Sequence, residues 1–584
     1  MRSIANRRSR PLVPLALFCL LATACADAPT ETSLFPAGWQ YRQSPEPVRA
    51  ENGMVVTTDE LASQVGVDVM AAGGNAVDAA IAVQFALAVV NPEAGNIGGG
   101  GFMVVRMADG TAAALDFREK APLAATRDMY LDDKGELTDA SLVGHLSVGV
   151  PGSVSGMWEA HQRFGTMDWT ELLAPAIELA GGFEVKQRFL GSLGETMVES
   201  LSRYAASAAQ FLPRDGAPPS VGDTLRQPDL ASTLGRIRDE GPDGFFHGET
   251  ADLIVEEMER GDGIMTHEDL AQYQAAWRDP ITFTYRGHTV ISMPPSSSGG
   301  ATMAEMANIL EGYDLASMDW HGPEMIHLYA EAWKRAYADR NHYLADPDFV
   351  DQPLERMTST EYARERAASI SETAATPSSE IGPGMEVPDE GENTTHYSIV
   401  DAAGNAVAVT TTVNSWYGSK VTVTGAGFVL NNEMDDFAAK PGTPNQYGLV
   451  QGENNAVGPG KRMLSAMTPS VVVGPDGALK MVTGTPGGST IITTVFQTIS
   501  NVLDFGMNAV EAVQAPRVHH QHLPDQIYYE VAGLEPATVL QLRTLGHTVV
   551  ERPGVSGDAQ VILVVDGILT AWSDPRRGGR AIGY

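Results

Sequence analysis

Residues 371–393 (SETAATPSSEIGPGMEVPDEGEN) are acidic, rich in Pro, Ser and Gly and poor in aromatics, and they end directly at Thr394. Such a segment cannot offset its own ordering entropy by burying apolar surface, so it reads as an exposed linker. Before it, 150–380 is mostly helical in period; after it the chain turns strongly β, with a short apolar run at Tyr397–Asp401, a turn at Ala402–Asn405 and β-branched residues at Ala406–Val413. A threonine at the head of a strand is ordinarily just a good β-former. It gains a second meaning if the chain is cut in front of it. The hydroxyl and a new α-amine would then share one residue, and an N-terminal amine is a base able to activate a hydroxyl that is otherwise a poor nucleophile. The residues alone leave both readings open.

Composition narrows the class. A chain of 584 residues suggests about two to four domains, with one large α/β unit as the alternative. A hydrophobic content of 43% supports a sizeable core. Acids outnumber bases by 73 to 39, for a formal net charge of -34, which argues against nucleic acid as a partner. Two cysteines allow neither a disulfide framework nor a Cys-rich zinc site.

The N-terminus reads as a leader. Arg2, Arg7, Arg8 and Arg10 precede an apolar run from Leu12 to Ala22 that is too short to span a bilayer as a mature helix, and Ala22-Thr23-Ala24 offers small residues for cleavage. Residues 1–24 are therefore expected to be a signal peptide. Cys25 follows as in a bacterial lipoprotein box, where that cysteine is lipidated, although Ala22 stands where such boxes usually carry Leu. Simple signal cleavage and a buried N-terminal helix are the alternatives. The expected location is exported, periplasmic or membrane-anchored in a bacterium. No later stretch approaches 18 unbroken apolar residues, so membrane contact would come through the lipid.

Within the body, residues 26–50 look like a polar tether. Ala62–Val90 has a helical pattern broken at Gly73-Gly74-Asn75 and stopped at Asn91-Pro92. Strands are expected at Phe102–Arg106, Ala112–Phe117, Ser470–Val473, Leu479–Thr483 and Val561–Val565. A strand pair at Ile281–Tyr285 and Thr289–Met293 would turn at Arg286-Gly287.

Thr394-Thr395-His396-Tyr397-Ser398-Ile399-Val400-Asp401 closely resembles the processing-site motif of the γ-glutamyltransferases (γ-glutamyltranspeptidases). Further matching segments follow in order: Leu115–Glu119, Leu430–Phe437, Lys461–Met467 and Gly484–Ser489, with Gly73–Ala80 and Gly98–Phe102 as weaker ones. Each alone is weak to moderate; their ordered combination, from about residue 45 to Tyr584, is highly specific. The resemblance implies an N-terminal-nucleophile hydrolase with a four-layer αββα sandwich and no cofactor. It implies self-cleavage between Asn393 and Thr394, giving a heterodimer of a large subunit (25–393) and a small one (394–584). The implied reaction moves a γ-glutamyl group from glutathione or a similar small-molecule donor to water, an amino acid or a peptide.

The resemblance also assigns roles. Thr394 is the nucleophile, first on the Asn393 carbonyl and then on substrate, and Thr412 hydrogen-bonds it. Gly487 and Gly488 supply backbone N–H donors to the developing oxyanion, where glycine lets the backbone approach closely. Arg118 grips the donor α-carboxylate in a two-bond fork, with Ser465 adding a hydroxyl. Asn414, Glu433 and Asp436 receive the α-ammonium, and Asp435 is scaffold. Many members carry two adjacent serines where this chain has Ser465-Ala466, so one side-chain donor is missing. Lys440–Lys461 is a long polar loop of the kind that forms lids, with Tyr447 expected to cover the site.

Other motifs carry less. His519-His520-Gln521-His522 lacks partners at metal-site spacing, so no metal is expected. Gly98–Gly101 lacks the Gly-Lys-Ser/Thr ending of a phosphate loop. Pro294-Pro295-Ser296-Ser297-Ser298-Gly299-Gly300 lacks the Gly-x-Ser-x-Gly elbow. Two other functions are open: an acylase for glutaryl or other β-lactam side-chain amides, disfavoured by Asn414, Glu433 and Asp436, and an inactive peptide-binding lipoprotein, disfavoured by Thr394 and Gly487-Gly488.

Overall fold

Every residue of Ala406–Thr412 is buried, as a β-branched strand in the middle of a covered sheet must be. In the computed structural model, which describes residues 33–43, 45–382, 394–553 and 556–584, this strand is the centre of a seven-stranded sheet. The order is Arg580–Gly583, Met54–Thr57, Thr395–Val400, Ala406–Thr412, Gly100–Arg106, Ala112–Asp116 and Ala276–Arg278, all neighbours antiparallel. A second seven-stranded antiparallel sheet runs Val48–Ala50, Ile568–Ser573, Gln560–Val565, Leu479–Gly484, Ser470–Val473, His288–Ser292 and Ile281–Tyr285.

Side-chain alternation builds the layers. Val56, Phe102, Val104 and Ala408 of the first sheet share one apolar cluster with Val482, Ile562 and Ala571 of the second. Their strand neighbours Val55, Met103, Val105, Val407 and Val409 instead pack with helices Glu60–Ala71 and Ala76–Val90. Helices Gly299–Leu310, Pro323–Tyr343 and Thr490–Leu503 contribute to the cluster of the second sheet. The result is the four-layer αββα sandwich.

Local chemistry sets the boundaries. Asn75 caps helix Ala76–Val90, its Oδ1 accepting from Val77 and Asp78 N–H at 2.8 and 3.0 Å while Asp78 reaches back to its N–H. Arg286 and Gly287 both have positive φ, closing the expected hairpin. The stretch read as a tether supplies strand Val48–Ala50. Within 371–393, residues 371–382 are anchored: Ser371 O is bonded to His327, Thr376 N–H donates to Glu331, and Ser378 Oγ donates to His522 O. Residues 383–393, the expected leader and Cys25 lie outside the described residues. Among the described residues no helix is long and apolar enough to cross a membrane.

Gly98–Gly101, which is no phosphate loop, packs backbone on backbone. A Cβ on Gly99 would collide with the Thr412 carbonyl oxygen, and one on Gly101 with that of Thr410. Gly99→Ala is therefore expected to push on Thr412 and cost about 1–3 kcal/mol, read as a lower midpoint in thermal or denaturant unfolding; an unchanged midpoint would show that this contact has slack.

Candidate functional site

The strand register creates the site. Thr395 pairs with Thr411, which sets Thr394, just before its strand, opposite Thr412. The two hydroxyls lie 3.4 Å apart, and Thr412 Oγ1 also accepts the Asn414 N–H at 2.7 Å. Arg577 Nη1 donates to the Thr394 carbonyl at 3.1 Å. Asn414 begins a turn in which Asn414, Tyr417 and Lys420 all have positive φ. Buried Lys420 pins that turn, its Nζ donating to Ser415 Oγ, Trp416 O and Gly418 O at 3.0, 2.7 and 2.5 Å.

One cavity gathers Thr394, Thr412, Asn414, Arg118, Glu433, Asp436, Ser465, Tyr447 and Gly488. Gly487 is the adjoining residue, with φ 140°, and Gly488 has φ 54°. The Tyr447 ring lies directly on Gly488: an added Cβ there would meet Tyr447 Cδ1 at 2.6 Å. The Tyr447 hydroxyl is bonded to Asn414 Oδ1. With that ring in place the cavity offers about 20 Å³, room for a water or two and too little for an amino acid.

The cavity carries charge of both signs. Arg118 is fully buried and held on both arms, Nη1 by Glu433 and Nη2 by Asp436, while Nε donates to Met463 O at 3.3 Å. Glu119 lies 3.7 Å from Nη1, and neither of its oxygens has a hydrogen-bond partner. Burial alone would lower the Arg118 pKa, but Glu433, Asp436 and Glu119 hold it above its ordinary value. Burial pushes the Glu433 and Asp436 carboxyls up against the pull of Arg118. The same cause raises Glu119 to about 7. Asp435 is not part of the lining; it accepts from Ser141 Oγ and Gln446 N–H at 2.7 and 3.1 Å. Such a cluster suits a zwitterion, whose carboxylate and ammonium can each find an opposite charge. A hydroxyl beside a second hydroxyl, next to a glycine pair, suits acyl transfer.

Residues 62–584 match the family described as Gamma-glutamyltranspeptidase. The chain belongs to that family. It is 48% identical over 577 residues to a protein named glutathione hydrolase proenzyme from Pseudomonas sp. (strain A14), covering 97% of this chain and 98% of that one. It is 46% identical over 565 residues to a protein of the same name from Escherichia coli (strain K12), covering 96% and 97%. Among solved structures it is similar to the cephalosporin acylase from Bacillus halodurans, with a TM-score of 0.82 and 29% identity, over 94% of this chain and 99% of that one.

Two members of this γ-glutamyltranspeptidase site escaped the sequence reading. Arg340 lines the cavity from helix Pro323–Tyr343. Its charged neighbours Glu331, Lys334, Arg335 and Asp339 recur at helical spacing, a pattern that ordinarily marks a solvated face, yet all are buried here. Glu119 ends the segment Leu115–Glu119, but nothing in the sequence signals that it is buried. The Ser296–Ser298 segment proves to hold Ser465: Ser465 N–H donates to Ser296 O at 2.9 Å, and Ser298 N–H and Oγ donate to Ser465 O at 2.8 and 2.6 Å.

Asn393 lies outside the described residues. His519 is bonded to Thr493 and Gln521, and His522 to the carbonyls of Ser378 and Ile381. His327, Glu331 and His547 cluster elsewhere, with ligand atoms within 4.8 Å of one another. There His327 Nδ1 and His547 Nε2 are in hydrogen-bond contact at 2.7 Å, and Glu331 is already paired with Lys334 and Arg335 at 2.8 Å each. Two nitrogens on one zinc would sit about 3.3 Å apart, so the cluster is a hydrogen-bonded chain closed by lysine and arginine.

Glu119 gives a pH prediction. An acid raised to about 7 is neutral below that pH and charged above it, adding a negative charge beside Arg118 as pH rises. KM for a γ-glutamyl anilide is expected to climb as pH passes upward through about 7, and Glu119→Gln to flatten the climb. An identical KM profile in the variant would place that titration elsewhere.

Proposed function

We propose that this chain is a self-processing γ-glutamyltransferase and glutathione hydrolase. Thr394 Oγ attacks the Asn393 carbonyl carbon, the peptide C–N bond breaks, and the hydroxyl proton passes to the Thr394 nitrogen, which leaves as the new α-amine. Water then opens the ester, releasing the Asn393 carboxylate and restoring the hydroxyl. In the mature enzyme that amine takes the hydroxyl proton while Oγ attacks the γ-amide of the donor. Thr412 orients the hydroxyl, and the N–H groups of Gly487 and Gly488 receive the oxyanion. The γ-glutamyl ester on Thr394 passes to water or to the amine of an amino acid or peptide. Arg118 and Ser465 take the donor α-carboxylate; Asn414, Glu433 and Asp436 take its ammonium; Tyr447 closes over them. No cofactor enters these steps.

One observation carries this reading: the Thr394 and Thr412 hydroxyls, 3.4 Å apart, share a cavity with Arg118 and its two carboxylates. The names of the relatives, glutathione hydrolase proenzymes, support glutathione as the donor. The resemblance to a cephalosporin acylase keeps a second reading in view. A glutaryl side chain has no ammonium, so it would leave buried Glu433 and Asp436 without a cationic ligand, which favours the γ-glutamyl donor. The proposal extends to the ends of the chain: residues 1–24 direct export, Cys25 carries a lipid, and 25–393 and 394–584 remain associated as large and small subunits.

Thr394→Ala is expected to run as a single uncut chain on a denaturing gel; normal cleavage in that variant would refute the nucleophile. N-terminal sequencing of active material is expected to find a chain beginning at Thr394, and mass spectrometry of the other chain a start at Cys25 with the added mass of its lipid. A γ-glutamyl-p-nitroanilide should be turned over at least about tenfold faster than the glutaryl anilide, since only the ammonium can donate to Glu433 Oε2 and Asp436 Oδ1, which are buried without a hydrogen-bond partner, and a hydrogen bond to a charged group is worth about 1.5–3 kcal/mol. The reverse preference would favour the acylase.

A further inference from the structure

Arg340 is a fully buried guanidinium on the wall of the donor cavity. Two of its nitrogens are engaged: Nε donates to Ser298 Oγ at 3.0 Å and Nη1 to Asn341 Oδ1 at 2.9 Å. Nη2 is buried with no hydrogen-bond partner, and among the described residues no carboxylate forms an ion pair with Arg340. Burial lowers its pKa to about 10, with Tyr337 and Asp436 opposing, so it remains a cation at neutral pH. A buried cation without a partner is costly unless something completes it.

Its position points to what completes it. Ser298, which holds Arg340 by Nε, is the residue that grips the Ser465 carbonyl with both its N–H and its hydroxyl. Arg340, Ser298 and Ser465 therefore form one hydrogen-bonded chain, and the guanidinium is fixed behind the corner made by Ser465 and Ala466. Residue 466 is alanine, so at that corner Ser465 alone offers a side-chain hydroxyl. Arg340 Nη2 is a donor in excess on the same cavity. Arg118 has fewer donors to give, since one N–H on each of its terminal nitrogens goes to Glu433 or Asp436.

We propose that Arg340 is a specificity-determining residue for the donor: its Nη2 binds the α-carboxylate from the side of Ser465 and Ala466, so that this carboxylate lies between two guanidinium groups. Arg340 can have this role only if the donor is a γ-glutamyl compound, as proposed above. The Ser296–Ser298 segment then has a function of its own, as the buttress that aims Arg340 and Ser465 at one anion.

Three p-nitroanilides separate the possibilities: γ-glutamyl, glutaryl (carboxylate without ammonium) and 4-aminobutyryl (ammonium without carboxylate). With processed Arg340→Gln enzyme, KM for the γ-glutamyl anilide should rise roughly 10–100-fold, the size expected for a lost hydrogen bond to a charged group, while kcat changes little. kcat/KM for the glutaryl anilide should fall in parallel, and that for the 4-aminobutyryl anilide should stay level. Equal losses on all three would mean a merely structural role. A loss confined to the two ammonium-bearing donors would make Arg340 a counter-ion of Asp436. Either overturns the proposal.

Arg340→Lys should keep the chain cleaved and recover most of the affinity. If Arg340→Gln fails to process, Arg340→Lys is compared with wild type on the same three donors, and a loss that does not track the carboxylate counts against Arg340. In Ala466→Ser/Arg340→Gln the restored hydroxyl should return part of the lost affinity; strict additivity of the two changes would show that they do not share an anion. Wild type inactive on the γ-glutamyl anilide would sink the donor reading and this role with it, whereas active wild type with an unaffected Arg340→Gln sinks the role alone.

Discussion

The buried ion cluster at Arg118 governs the rest of the molecule. A guanidinium fully withdrawn from water persists only with anions and acceptors in good geometry, and Arg118 draws them from distant segments: Glu433, Asp436 and the carbonyl of Met463. Those residues belong to loops that would otherwise have no reason to converge. Asn431 and Asn432, just before Glu433, are themselves stitched to the carbonyls of Gly98, Gly149 and Leu142. The charge cluster thus organises the irregular wall of the cavity, while the strand pair Thr395–Val400 and Ala406–Thr412 organises the regular one. Thr394 stands where the two walls meet.

Regular structure was legible where a period or a turn residue gave it away. Ala76–Val90 is announced by Gly-Gly-Asn before it and Asn-Pro after it, and the 281–292 hairpin by Arg286-Gly287. Strand Ala406–Thr412 is legible from β-branching alone. The short edge strands Val48–Ala50 and Arg580–Gly583 are not, since three or four residues show no period and owe their conformation to the neighbours they pair with. The first half of the acidic stretch is similar: composition describes a solvated segment, yet the carbonyls and amides of 371–378 are taken up by His327, Glu331, Lys334 and Asp525.

The site divides the same way. Residues named by the family resemblance, from Arg118 to Gly488, converge on one cavity although hundreds of positions separate them in sequence. Arg340 and Glu119 were invisible because their importance lies in what they lack. A charged residue in a chain of symbols looks solvated until the fold shows it dry and short of partners. Such absences are properties of packing, which no local pattern encodes.

Both sheets are woven from chain on either side of Thr394. The first alternates Met54–Thr57 with Thr395–Val400 and Ala406–Thr412 with Gly100–Arg106, and the second sets Ser470–Val473 beside His288–Ser292. Severing the backbone there would release one bond from an interlaced fabric and free neither piece. Rebuilding it from two separated polypeptides would be a bimolecular search for five matching edges. Synthesis as one strand turns that search into a single-molecule event, so scission would work as a ratchet: easy to pass once the weave is complete, and hard to retrace.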